Sequence, residues 1–184
     1  MEATMVTITP EAAADYPARE ALLDRAFGKR MRRRKTSERL REGRLPAEGL
    51  AFAARNRKGR LIGTLRLWDI TAGSAGKALL LGPLAVDCAY QKRGIGAELM
   101  RHALGEAKRL GHRAVLLVGD EPYYGRFGFA RANARALSLP GPVELERFLG
   151  LEIETGVLRN AKGMISPAGR AIPAHEIEAA RQTA

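Results

Sequence analysis

At 184 residues and 46% apolar content, the chain is long enough to bury a core as one domain. No stretch approaches the roughly 18 consecutive apolar residues of a membrane span. Its single cysteine, Cys88, excludes an intramolecular disulfide and any multi-cysteine metal site. His102, His112 and His175 share no metal-ligand spacing, so no metal is expected. Residues 1–10 lack the basic and apolar regions of a secretory signal, and a reducing, cytoplasmic compartment is the expectation. The formal net charge of +11 is unevenly placed: residues 25–44 hold ten basic side chains against two acidic ones. Such a block reads as a solvated helix face, a rim for an acidic substrate, or a nucleic-acid patch. It holds no aromatic between Phe27 and Phe52, so base stacking has no platform there.

In chain order, Leu22, Leu23, Ala26 and Phe27 recur at helical spacing after Pro17, and Gly28 ends or bends that helix. A second helix is predicted over 35–41 with Gly43 as its stop. Strands are predicted over 50–55, 61–70 and 78–86, joined by turns at 56–59 and 73–76, which makes an antiparallel meander. Gly82 and Pro83 predict a bulge or kink inside the third of these strands. An amphipathic helix follows over 97–110, with Leu99, Ala103, Ala107 and Leu110 on one face and Gly111 at the position of a C-terminal cap. The apolar run 114–118 is then a strand parallel to the last one of the meander, a right-handed βαβ unit. Residues 138–142 read as a loop, 148–153 as a last strand, and 174–184 as a short helix or frayed end.

Between the third strand and the amphipathic helix lies Gln91-Lys92-Arg93-Gly94-Ile95-Gly96. The first N–H groups of a helix have no backbone partner, and the helix dipole adds partial positive charge there. Two glycines let the main chain close around an anion, and Lys92 and Arg93 add formal charge beside it. The spacing is not that of a dinucleotide fingerprint, because the third glycine would fall at Leu99, and no P-loop string occurs in the chain. Downstream, Tyr124 is followed by Gly128 and Phe129.

The pattern Q-x-x-G-x-G over 91–96, one helix and one strand before Y-x-x-x-G-F over 124–129, resembles the acetyl-CoA half of the GNAT N-acetyltransferase superfamily, as in its small bacterial members. The resemblance covers roughly residues 50–129. It implies one α/β domain over 1–184 (core about 5–158, tail 159–184), with an antiparallel meander followed by a parallel βαβ unit. It implies acetyl-CoA as cosubstrate, with the pyrophosphate on Gln91, Lys92, Arg93, Gly94, Ile95 and Gly96. The pantetheine arm would lie along Leu84, Ala85 and Val86 where two parallel strands splay, and Tyr124 would be the general acid, with Tyr123 its neighbouring competitor. The stretch between Val118 and Tyr123 is shorter than is common in the family, which leaves the cosubstrate contacts on that side open. Glu48, Asp69, Asp87, Asp120 and Glu121 fall near predicted strand ends as candidate bases, and none is singled out by spacing. The resemblance implies a small-molecule or peptide amine as acceptor, left unidentified by the sequence, and the basic segment would disfavour cationic acceptors and tolerate acidic ones. Monomer and homodimer stay open. So do a non-catalytic acyl-CoA sensor and a nucleic-acid- or ribosome-associated protein acting through the basic segment.

Overall fold

The structure is a computed structural model that describes residues 6–173. In chain order it contains β1 (Thr7–Pro10), α1 (Tyr16–Phe27), α2 (Lys29–Arg34), α3 (Thr36–Arg39), β2 (Ala51–Arg55), β3 (Leu61–Ala72), β4 (Lys77–Val86), α4 (Ile95–Arg109), β5 (Ala114–Val118), α5 (Glu121–Tyr124), β6 (Leu137–Ser138), β7 (Phe148–Glu152) and β8 (Gly163–Pro167). The strands join in one sheet whose main path is β1-β2-β3-β4-β5-β7. The expected meander is β2-β3-β4, antiparallel throughout. The Asn56 side chain closes its first turn by accepting the Lys58 and Arg60 N–H groups at 3.0 Å each. After α4 the chain returns as β5, parallel to β4, and β7 pairs antiparallel with β5.

Three strands lie outside the sequence expectation. β1 adds to the edge of β2, where the buried Glu11 carboxylate just beyond it takes both Arg19 of α1 and Arg66 of β3. β8 pairs with the second half of β3, and β6 pairs with β8. Part of the expected tail therefore completes the sheet. Only Ile165 of β8 is buried, and the five-residue segment is too short for alternation to announce it. The helix expected over 174–184 lies outside the described residues.

Alternating side chains build the two faces of the sheet. On one face, Leu79, Leu81, Val115 and Leu117 pack under Ile95, Leu99, Met100, Ala103 and Ala107 of α4. On the other, Leu80, Leu116, Trp68 and Phe148 meet Leu40, Leu137, Leu139 and Leu158. A third cluster sets Leu22 and Leu23 of α1 against Ala53, Leu61 and Ala85. α4 begins at Ile95, two residues before the expected start, because Gly94 adopts φ +83° and caps it. Leu110, expected on the buried face, is exposed. It is the capping residue, where the chain turns away at Gly111 (φ +82°), and Met100 takes the buried place instead.

Candidate active site

The loop before α4 is built from unusual backbone. Lys92 has φ +61°, a left-handed conformation rare for a residue with a Cβ, and Gly94 has φ +83°. The Gln91 side chain anchors the loop by donating from Nε2 to the Val86 carbonyl at 3.2 Å. The first amides of α4 consequently open into a cleft of about 430 Å³ lined by Leu84, Val86, Gln91, Lys92, Gly94, Ile95 and Gly96, with Tyr123 and Arg126 opposite. Of the residues singled out in the sequence, Arg93 stands beside this cleft with its guanidinium over the Tyr90 ring, 5.4 Å from the centroid. Ala85 is buried against α1. Arg126 is the cation that sequence reasoning missed. It stacks on the Tyr123 ring at 4.2 Å, and no short-range motif marks it. A Cβ at Gly96 would lie 2.8 Å from the Tyr123 hydroxyl, so glycine is needed where that phenol crosses the helix start.

The orientation of β4 over this cleft comes from a bulge. Between β3 and β4 the register passes from Leu65↔Leu84 to Leu67↔Leu81, which places Gly82 and Pro83 opposite Arg66 alone. The Gly82–Pro83 peptide is cis and Gly82 has φ +123°. One extra residue reverses the alternation. Leu79 and Leu81 face α4, and after the bulge Leu84 and Val86 do so, with Ala85 on the opposite side. The same bulge ends the pairing with β5, whose register stops at Leu80↔Leu116. Beyond it the strands diverge, as the splayed arrangement required, and a second cleft of about 680 Å³ opens between Leu81–Leu84 on one side and Leu117–Asp120 on the other. Leu84 lines both clefts.

Tyr124 sits at this second opening and Tyr123 at the first. Their rings meet edge to face at 4.9 Å, and Tyr124 also packs edge-on against Phe129 at 6.2 Å. A Cβ at Gly119 would come 2.2 Å from Cε2 of Tyr124, so the ring lies directly on the end of β5. Burial, reinforced by Tyr123 and Asp120 and opposed by Arg147, pushes the Tyr124 phenol up to about 12. The phenol is protonated at neutral pH.

Of the carboxylates near strand ends, only Asp120 lines the large cleft, and it pairs with Arg147 at 3.1 Å. Asp87 is buried, held by Arg60 at 3.0 Å and capping the Ala89 N–H, which is a structural assignment. Glu121 accepts from the Arg131 N–H at 3.0 Å. The basic segment, which the sequence left between three readings, folds over the mouth of the large cleft. Arg32, Lys35, Glu38 and Arg41 line it, and Thr36 donates to the Pro142 carbonyl across it. Its described cations do not form a uniform stripe. Arg25 pairs with Asp87, Arg32 with Glu20 and Asp24, and Arg44 donates to the Gly169 carbonyl.

Comparison with known proteins agrees with this architecture. The family model for the acetyltransferase (GNAT) family matches residues 15–129. The N-acetyltransferase YhbS of Escherichia coli K12, itself described as uncharacterised, is 26% identical over 159 residues, spanning 86% of this chain and 93% of the relative. The crystal structure of Escherichia coli YhbS in complex with CoA is similar at TM-score 0.76 and 27% identity, covering 91% of this chain and 92% of that one. A GNAT family acetyltransferase from Brucella melitensis in complex with acetyl-CoA is similar at TM-score 0.61 and 25% identity, covering 93% and 97%. Two clefts meeting at a bulged strand, a glycine loop at a helix start, and a family match across that same region lead to one conclusion: the chain belongs to the acetyltransferase (GNAT) family.

Proposed function

We propose that the protein transfers the acetyl group of acetyl-CoA to a primary amine by direct attack, with Tyr124 as hydrogen-bond donor to the departing sulfur. The observation that carries this reading is the junction of the two clefts at Leu84, with Tyr124 on the far side of the opening between β4 and β5. The loop amides and the cations Lys92 and Arg126 suit a pyrophosphate in the smaller cleft. Among the described residues no strand pairs with β4 past the bulge on the β5 side, which suits an amide-bearing arm leading toward the larger one. That two similar structures are complexes with CoA and with acetyl-CoA supports a CoA thioester as the ligand.

The chemistry constrains the residues further. An alkylamine with a pKa near ~10.4 is protonated at pH 7, so a proton must leave before or during attack. Glu38, Asp120 and Glu144 line the large cleft and supply the carboxylates for that step. The amine nitrogen then bonds the thioester carbon, the carbon–sulfur bond breaks, and sulfur departs as a thiolate. A phenol at about 12 does not surrender its proton outright to a thiolate of pKa about 8.5, since that is uphill by about 5 kcal/mol. Tyr124 therefore stabilises the thiolate through a hydrogen bond, and the proton that completes the thiol comes from the acylated ammonium.

The test is thiol release from acetyl-CoA by the full chain with a panel of primary amines. Amine-dependent release with the matching acetylated amine as product is the expected result; release at the background rate with every amine refutes the proposal. Gly119→Ala provides a second check. Its methyl group occupies the place of the Tyr124 ring edge, so turnover is expected to fall by at least tenfold while circular dichroism shows a folded protein.

A further inference from the structure

The large cleft contains a buried cation that the fold pairs only loosely and with a single carboxylate. Arg41 is 9% exposed and lies under the bend of β4, where a Cβ on Gly82 would come 2.9 Å from its Nη2. Among the described residues its ion-pair partner is Glu38, reached only at 3.5 Å, and its Nε is buried without a hydrogen-bond partner. A buried guanidinium normally has several close acceptors, because an isolated one costs several kcal/mol of desolvation. Burial pushes Arg41 down to about 10, still far above neutral pH, so it remains cationic. Lys35 lies near it on the same cleft, with its ammonium 4.2 Å from the centre of the Phe27 ring and no ion-pair partner among the described residues. Burial and then the like charges of Arg41 and Arg147 depress its pKa. Of the other two cations of the cleft, Arg147 pairs with Asp120, and Arg32 pairs through Nη2 with Glu20 and Asp24 while its Nε and Nη1 are also buried without a hydrogen-bond partner.

We propose that the acceptor is an amine that also carries a carboxylate, an amino acid or a close derivative, and that Arg41 holds that carboxylate with Lys35 beside it. The inference rests on the acetyl-transfer reading, because it assigns the acceptor side of that same cleft. A carboxylate matches a planar guanidinium and supplies the acceptors that Arg41 lacks. Glu38, close to Arg41, and the exposed Glu144 remain to receive the proton from the amine end. A cleft lined by a buried cation and by more exposed carboxylates is complementary to a molecule of both signs. It opposes a polyamine, which would bring a second cation onto Arg41.

The experiment compares matched acceptors with the full chain: L-amino acids, their carboxamides, and the corresponding amines without the carboxyl group. Acetyl-CoA binding is first established by thermal shift. Failure there refutes acetyl transfer itself and is distinct from failure here. With binding established, kcat/KM is expected to be about 10- to 100-fold higher for the best amino acid than for its amide, the range of one charge-assisted contact. In Arg41→Met that ratio is expected to collapse toward one, and Arg41→Lys to restore part of it. Binding of N-acetyl amino acids to the CoA-saturated protein, followed by the same thermal shift, is expected to weaken in Arg41→Met by a similar factor. The melting temperature of Arg41→Met is expected to be equal to or above that of the parent, because a poorly compensated buried charge is removed. Amides or simple amines used as well as amino acids, or carboxylate binding indifferent to Arg41, would overturn the proposal. A variant that loses stability and all acceptors equally would make Arg41 a structural residue and overturn it too.

Discussion

Replacing Tyr124 by phenylalanine is expected to lower kcat by about 10²- to 10³-fold, the range for removing one positioned hydrogen-bond donor to developing negative charge, with the KM for acetyl-CoA within a few-fold of the parent. The ring stays, so its edge contacts with Tyr123 and Phe129 and its seat on Gly119 stay with it. Only the hydroxyl is lost. Tyr123→Phe is the control, since its hydroxyl lies over the helix start at Gly96 rather than at the strand opening. Its larger effect should be on the KM for acetyl-CoA. Equal loss of kcat in both variants would remove Tyr124 from the special role.

The same residue sets the expected pH dependence. With its pKa raised by burial to about 12, Tyr124 is protonated across the working range. The rate should therefore climb with pH as the acceptor amine loses its proton, through about 8 for an α-amine, and show no descending limb below pH 10. Because the folded value exceeds the unfolded one of 10.0, stability attributable to this phenol is complete below pH 10. It is lost as pH rises through about 12. A descending limb at pH 8 to 9 that disappears in Tyr124→Phe would contradict the burial argument.

The second large effect is expected at the loop. Acetyl-CoA at about 100 times its dissociation constant should stabilise the parent by about 2.7 kcal/mol, or roughly 5–10 °C for a domain of this size. Gly94→Glu is expected to abolish that shift by placing a carboxylate beside the pyrophosphate position. Gly94 has φ +83° with open space around its would-be Cβ, so any side chain there is strained but not crowded. Gly94→Ala shares the strain without the charge, lowering the melting temperature of the free protein by an amount similar to Gly94→Glu while keeping most of the ligand shift. Loss of the shift in both variants would mean that loop conformation, not anion repulsion, is the cause.

The turn, helix start and tyrosine position that frame these two candidate sites are legible in the sequence because each is local. A glycine pair before an amphipathic helix, and a tyrosine four residues before Gly128 and Phe129, use contiguous residues whose turn and capping chemistry is written in the chain itself. The meander, the βαβ unit and the bulge at Gly82 and Pro83 were readable for the same reason, since alternation, turn residues and a missing N–H act within one strand or its immediate turn. Tertiary structure alone decided the rest. Whether the bulge would turn Leu84 and Val86 toward α4 depends on the register with β3, which no single strand contains. β8 is held by a 90-residue separation from β3 and by one buried side chain, too little to mark it. The basic run 25–44 looked uniform in one dimension, yet the fold divides it: some of its cations pair with carboxylates elsewhere in the chain, and Arg41 is left nearly alone beneath the β4 bend. Charge is counted in sequence, but its compensation depends on which groups come within a few ångströms, and only packing determines that.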